Sequence, residues 1–178
     1  MNKLKAAELR TTVPDPEQIK KIKRNPIYIV LDNVLDTYNV GAIFRLADAV
    51  SAKKVFLCGQ TETPPNSRIK KASINTTEWI KWQYFEDAKS AIDYLQLTVD
   101  NLNVVSIEQD KKAVSFQNVK YEFPVAFVVG NETSGVSKEV LKISDKIVEL
   151  PMFGINTSLN VMVSLGIVLY EAIKTLPR

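Results

Sequence analysis

Histidine is absent from this 178-residue chain, and cysteine occurs once, at Cys58. Without histidine, no side chain has an unperturbed pKa near neutrality. Reactivity must therefore come from a cofactor or from a strongly perturbed weak base. A lone thiol forms no intrachain disulfide, and without histidine it excludes Cys/His catalysis and the usual zinc ligand sets, so no metal is expected. No apolar run reaches the roughly 18 residues of a membrane span, and Met1 to Lys5 leads into polar sequence rather than an apolar signal core. These absences predict a cytoplasmic protein with no membrane association. Internal repeats and low-complexity tracts are also missing, as are the GxxxxGK[ST] and GxGxxG phosphate-binding spacings.

What remains is an ordinary globular composition, 46% hydrophobic and 24% charged, with enough length for one core and one main domain. The net charge is only +3, but it is unevenly placed. Residues 1 to 24 carry Lys3, Lys5, Arg10, Lys20, Lys21, Lys23 and Arg24 against Glu8, Asp15 and Glu17, which leaves the rest of the chain net acidic by one. Such a stretch either meets phosphates or is simply a solvated face. Residues 1–25 are read as a basic, helical N-terminal extension. A second positive cluster, Arg68, Lys70 and Lys71, follows Pro64 and Pro65 in the segment Gln60 to Lys71, which reads as a connector or an RNA-contacting loop.

Pro26 to Leu31 is a continuous apolar run with β-branched residues and a proline at its start, the pattern of a buried strand. Further strands are expected at Lys54–Cys58, Trp79–Phe85, Asn103–Ile107, Val125–Val129 and Lys146–Leu150. Helices are expected near Val40–Val50, Asp87–Leu97, Ser137–Ile143 and, as a long final element, Leu159–Leu176. This alternation predicts an α/β fold with a mostly parallel sheet covered by helices on both faces. Ligands in such folds bind where strand carboxyl ends open into loops.

Three of those ends carry unusual residues. In Asp32 to Asp48, Asn39 is placed to cap a helix. Gly41 lies one turn before Arg45, leaving space beside an arginine that has Asp48 within ion-pair spacing. In Val125 to Ser137, a strand runs into a loop with Gly130, Glu132 and Gly135. Gly130 permits close backbone approach to a ligand, and Glu132 has the plain reading of a helix-entry charge. In Glu149 to Glu171, a loop with Pro151 and Gly154 enters a helix that is apolar on most sides. That composition suggests burial against a partner subunit, with Asn160 needing a specific hydrogen-bond partner.

Taken together, the three segments resemble motifs 1, 2 and 3 of the SpoU/TrmH branch of the SPOUT methyltransferases, in order and with compatible spacing. Asn39, Gly41, Arg45 and Ala47 fit the NxGxxxRxA element, Gly130 to Gly135 (GNETSG) the second, and Pro151 with Ser158-Leu159-Asn160-Val161 the third. The resemblance extends over roughly residues 26 to 176 and makes 26–178 the methyltransferase domain. It implies a C-terminal trefoil knot, a homodimer, S-adenosylmethionine as cofactor, and RNA as substrate, with transfer RNA favoured over ribosomal RNA. It also implies that Glu108, Gly130, Leu150 and Leu159 surround the cofactor, and that Arg45, Asn39, Glu132, Ser158 and Asn160 form the catalytic set. Phosphate contacts are expected from Lys3, Lys5, Lys20, Lys21, Lys23, Arg24, Arg68, Lys70 and Lys71. Two departures, Met162 after the third motif and Ile74-Asn75 in place of a Leu-Gly pair, bear on substrate choice.

A guanidinium stays protonated and offers only donors, so two roles for Arg45 stand open: a phosphate clamp that lowers the pKa of a ribose hydroxyl, or a proton acceptor in a strongly perturbed environment. Two rival readings are a flavodoxin-like nucleotide-binding module, which would need a phosphate loop after the first strand, and a non-catalytic RNA-binding protein. Asp32 to Tyr38 offers no phosphate loop, and the intact five-residue catalytic set weighs against the second rival.

Overall fold

Strand β1 (Asn25–Asp32), the apolar run expected at Pro26 to Leu31, lies inside the sheet rather than at its edge. The computed structural model describes residues 5–12 and 14–176, so the expected RNA contact Lys3 lies outside the described residues. Two short helices, α1 (Ala6–Leu9) and α2 (Pro16–Lys20), precede β1, and α3 (Thr37–Ala49), β2 (Ala52–Cys58), α4 (Ser67–Ser73) and β3 (Trp82–Phe85) follow it. The chain continues through α5 (Ala88–Thr98), β4 (Asn103–Ile107), β5 (Val114–Ser115), β6 (Val125–Gly130), α6 (Lys138–Ile143), β7 (Lys146–Glu149) and α7 (Val161–Ala172). The strand order is β3-β2-β1-β6-β4-β7-β5, and every pairing is parallel. A flavodoxin-like sheet has the order 2-1-3-4-5 instead, which sets that rival aside.

The sheet is covered on both faces, and the two-residue period of its strands sorts their side chains. Ile27, Ile29, Leu31, Phe127 and Val129 turn to one face, where they meet Ile43 and Phe44 of α3 and Leu165 and Val168 of α7. Tyr28, Val30, Phe56, Ala126 and Val128 turn to the other, against Ala91, Ile92 and Leu95 of α5 and Val140 of α6. No helix among the described residues is long and apolar enough to cross a membrane.

Several local expectations change. The segment Gln60 to Lys71 is more than a connector: Asn66 accepts from the Arg68 and Ile69 amides at 2.9 and 3.2 Å, and α4 begins there. The strand expected from Trp79 starts only at Trp82, because Thr76–Glu78 form a 3-10 turn that swings Trp79 into the core. The two-residue strand β5 had no apolar run to announce it, and the final helix is shorter at both ends than expected, closing on a 3-10 turn at Ile173–Thr175.

Ile74 and Asn75 both adopt left-handed backbone angles, φ 52° and 63°. Asparagine tolerates that region, whereas a β-branched isoleucine there is strained. Asn75 does what a glycine could not, donating its side-chain amide to the Leu9 carbonyl at 2.6 Å and fastening the N-terminal extension to the α4 corner.

The space beside Gly41 is filled by the protein itself. A Cβ there would stand 2.6 Å from Ala72 Cβ and 2.7 Å from the Ile69 carbonyl oxygen, so the missing side chain lets α4 pack against α3. We expect Gly41→Ala to lower stability by about 1–3 kcal/mol through overpacking against backbone, read as a lower urea midpoint at unchanged slope.

Candidate active site at the carboxyl ends of the central strands

Neighbouring strands β6, β4 and β7 end side by side, and a cavity of about 530 Å³ opens over them. Ligand pockets commonly span about 300–1,000 Å³. The four residues expected around a cofactor, Glu108, Gly130, Leu150 and Leu159, all line it. Of the expected catalytic set, Glu132, Ser158 and Asn160 line it as well, whereas Asn39 and Arg45 do not.

Asn39 is nevertheless joined to the cavity. Helix α3 starts at Thr37 with Asp36 as its cap, which accepts from the Tyr38 amide at 2.8 Å. Asn39 therefore lies inside the first turn rather than capping it, and only 6% of it is exposed. Its amide nitrogen donates to Glu132 Oε1 at 2.9 Å, and its amide oxygen accepts from Asn160 Nδ2 at 3.0 Å. Asn160 is itself the cap of α7, its oxygen accepting from the Met162 and Val163 amides. The chain Asn160 to Asn39 to Glu132 thus ties the third, first and second motifs together through directional bonds.

Glu132 does not serve α6, which begins six residues later. It reaches across to the loop before α3 and accepts from the Leu35 amide at 3.0 Å and the Asp36 amide at 3.1 Å. Partial burial by itself raises its pKa. The hydrogen bonds from the Asn39 side chain and from the Leu35, Glu132 and Asp36 amides outweigh that, and the pKa lies below the ordinary carboxylate value. Glu132 is thus held as an anion and latches its loop to the start of α3.

The loop carrying Glu132 folds on itself. Asn131 accepts from the Thr133 and Ser134 amides at 2.9 and 3.0 Å, an Asx turn, and bridges to Gly135. A Cβ on Gly130 would lie 2.1 Å from the Gly135 carbonyl carbon, so the missing side chain makes room for the loop's own returning backbone, while Gly130 itself lines the cavity.

Glu108 is likewise engaged, accepting from the Val136 and Gln109 amides at 2.8 Å each. Gln109 was not singled out in the sequence. Its side-chain amide donates to the Thr157 carbonyl and joins the β4 loop to the loop before α7, a contact 48 residues apart with no local signal. Asp32, 2% exposed, was also passed over; it accepts from the Ser137 amide and the Asn33 side chain at 2.8 Å each, binding the end of β1 to the entry of α6.

Arg45 is exposed on α3 and makes no hydrogen bond or ion pair among the described residues. The Asp48 partner allowed by spacing is taken instead by the Trp79 indole N–H, at 2.7 Å. Of the expected phosphate contacts, Lys5, Lys20, Lys21, Lys23, Arg68, Lys70 and Lys71 are exposed, with Lys20 paired to Glu17 at 2.8 Å. Arg24 turns inward: Nη2 donates to the Trp79 carbonyl at 3.2 Å, and Nη1 is buried without a partner among the described residues. Burial lowers its pKa, with Asp48 opposing. No cluster of three metal-ligating side chains occurs among the described residues.

A parallel α/β sheet with a cofactor-sized cavity at its strand ends, beside a hydrogen-bonded chain that joins two of its lining loops through α3, defines the class as an α/β enzyme with a strand-end active site. Residues 26–170 match the SpoU rRNA Methylase family, and the chain belongs to that family. A relative from Aquifex aeolicus, a tRNA (guanosine(18)-2′-O)-methyltransferase, is 33% identical over 159 residues, covering 87% of this chain and 72% of that protein. The 23S rRNA (guanosine-2′-O-)-methyltransferase RlmB of Haemophilus influenzae is 29% identical over 90% of this chain and 64% of its own. Among solved structures, the A. aeolicus TrmH/SpoU tRNA modifying enzyme superposes with a TM-score of 0.78 at 28% identity, covering 96% of this chain and 81% of that one. An AdoMet-bound rRNA methyltransferase from Sinorhizobium meliloti gives 0.78 at 26%, over 90% of this chain and 61% of that one.

The depressed pKa of Glu132 has a sign that can be checked. Its unfolded-state pKa is the higher of the two, so the stability it contributes is complete above the ordinary carboxylate range and is lost as pH falls through that range to the folded value. Urea unfolding of the parent protein should weaken more steeply than that of Glu132→Gln between about pH 6 and about pH 3. Parallel losses in the two proteins would contradict the latch.

Proposed function

We propose that this protein transfers a methyl group from S-adenosylmethionine to the ribose 2′-hydroxyl of an RNA, with transfer RNA as the substrate class and guanosine, named in both relatives above, as the nucleotide. The observation that carries this reading is the Asn160–Asn39–Glu132 chain at the edge of the 530 Å³ cavity, in a member of this family. The cavity suits the cofactor in size and in its mixture of backbone and polar side-chain donors and acceptors. Gly130, Leu150 and Leu159 would hold the adenosine, with Glu108 bracing their loops. The bound cofactor supplies an electrophilic methyl on a sulfonium, which is why a chain without histidine suffices.

The protein's own part is positioning. Fixing a hydroxyl near attack geometry contributes several kcal/mol, on the order of 7 in favourable systems. Asn39 and Glu132, engaged with each other and with backbone, are positioning residues that set where α3 begins. Ser158 and Asn160 stand at the cavity wall, where the ribose enters.

Arg45 lies outside the cavity of its own chain, and the reading places it in a homodimer. Val163, Ile167 and Tyr170 form one exposed stripe of α7, 40%, 38% and 52% accessible, and Leu35 and Tyr38 are exposed at the entry of α3. Pairing two copies over α3 and α7 covers this surface and brings Arg45 to the partner's cavity, where it clamps a phosphate beside the reacting ribose. Lys5, Lys20, Lys21 and Lys23 add the basic surface, with Leu9 and Ile19 packed against the core. The threaded C-terminal segment and a cytoplasmic location belong to the same reading.

The test is methyl transfer from labelled S-adenosylmethionine to total RNA, with size fractionation and mapping of 2′-O-methyl sites. Label is expected in transfer RNA, and Arg45→Ala should abolish it while cofactor binding persists. Unchanged turnover of Arg45→Ala with both substrates saturating would overturn its role. Asn160→Asp separates cap from network: a carboxylate still caps α7 but cannot donate to Asn39, and turning the Asn39 amide abandons Glu132. We expect near-parental stability with turnover reduced about tenfold or more, as for a loss of roughly 1.4 kcal/mol of positioning. Co-expressing Arg45→Ala with Asn160→Asp should restore part of the activity if Arg45 acts on the partner's cavity.

A further inference from the structure

A second concavity of about 400 Å³ lies away from the cofactor cavity, at the β3 edge of the sheet. The Pro64 and Pro65 rings and the Trp82 indole provide its flat apolar surfaces, and Lys70, Thr77 and Glu78 provide its polar ones. Trp82 opens β3 opposite Val55 and is half-buried, with part of its ring packed against the core, so its orientation is fixed before anything binds.

Of the groove's polar side chains, Asn66 is spent on capping α4, and the others are uncommitted among the described residues. Among the described residues, the Lys70 ammonium and Glu78 carboxylate are exposed and form no ion pair, and neither the Thr77 hydroxyl nor the Trp82 indole N–H makes a hydrogen bond. This contrasts with Trp79, whose indole is bound to Asp48 and whose ring is buried. A rigid aromatic beside free donors and acceptors matches what an unpaired base needs: a stacking platform for its face and partners for its edge.

We infer that this groove is a subsite for one unpaired nucleotide of the substrate RNA, taking a base with guanine's adjacent N–H donors. A carboxylate only accepts, so Glu78 favours a base edge presenting two donors side by side and repels one presenting acceptors. Lys70, on the same basic helix as Arg68 and Lys71, meets the adjoining phosphate. From β3 to β6 is three strand spacings across the sheet, about 14 Å, and Trp82 stands three residues, about 10 Å, before the strand ends, so the base held here is a few nucleotides from the one whose ribose enters the cavity. The subsite therefore selects the sequence or loop around the target rather than the target nucleotide itself.

The inference rests on RNA being the substrate, and its test keeps the two claims apart. Fluorescein-labelled hexauridylate, and the same hexamer with one central guanosine, are titrated with the full-length protein saturated with S-adenosylhomocysteine and followed by anisotropy. Cofactor binding by calorimetry and methyl transfer to total RNA are measured on the same preparation. The guanosine hexamer should bind about tenfold more tightly, in the range of a hydrogen bond to a charged group. Glu78→Gln should remove most of that preference and leave cofactor affinity unchanged. Trp82→Phe, chosen over alanine because the ring also packs on the core, should weaken both hexamers, and Lys70→Ala should weaken both equally and flatten the salt dependence. Equal binding of the two hexamers, or a guanosine preference that survives in Glu78→Gln, overturns the subsite. If methyl transfer and cofactor binding hold in that case, the methyltransferase reading stands without it.

Discussion

Everything at the active edge of the sheet depends on one carboxylate. Glu132, on the loop after β6, accepts two backbone amides from the loop after β1 and the side-chain amide of Asn39. These donors would otherwise be orphans at the entry of a helix, and the carboxylate would otherwise be a half-buried charge lacking partners. Each side makes the other's burial tolerable. Because Asn39 presents a donor to Glu132 and an acceptor to Asn160, the same bonds also fix where α7 begins. Three loops that emerge from different strands thereby share one geometry.

That arrangement explains how a chain with no histidine can support group transfer. The cofactor brings the reactive methyl, and the protein brings rigidity: capped helices, a glycine that lets a loop close on its own backbone, and carboxylates committed to amides instead of proton transfer. Glu108 and Asp32 follow the pattern of Glu132, each accepting backbone N–H groups near a strand end. Arg45 is the exception, a cation with no partner among the described residues, on a helix whose exposed neighbours are apolar. A free cation beside an uncovered apolar surface fits a group that acts on something brought to it.

The two basic clusters diverge in the same physical terms. Arg68, Lys70 and Lys71 are exposed on α4 and have no partner among the described residues, next to a groove with an aromatic wall, whereas Arg24 is partly buried and donates to the Trp79 carbonyl. Position relative to the core, not charge count, separates an exposed cation from one bound to the protein's own backbone.

Local pattern in the chain determined the sheet. Apolar runs with β-branched residues marked the central strands β1, β2, β4 and β6, because strands buried on both faces leave no other composition, and the motif glycines, asparagines and carboxylates stood out because loops at strand ends tolerate few residue types. Residues lining the cavity, Glu108, Gly130, Leu150, Ser158, Leu159 and Asn160 among them, could be named without coordinates. What only the tertiary structure decided was who bonds to whom. Asn39 meets Glu132 and Asn160 across 93 and 121 residues, so its reading as a helix cap gave way to a buried relay. Gly41 proved to make room for the backbone of α4, and Arg45 proved to stand outside its own cavity. Periodicity and capping rules act over a few residues, whereas these pairings arise when the parallel crossovers bring distant strand ends together, and no local pattern encodes that meeting.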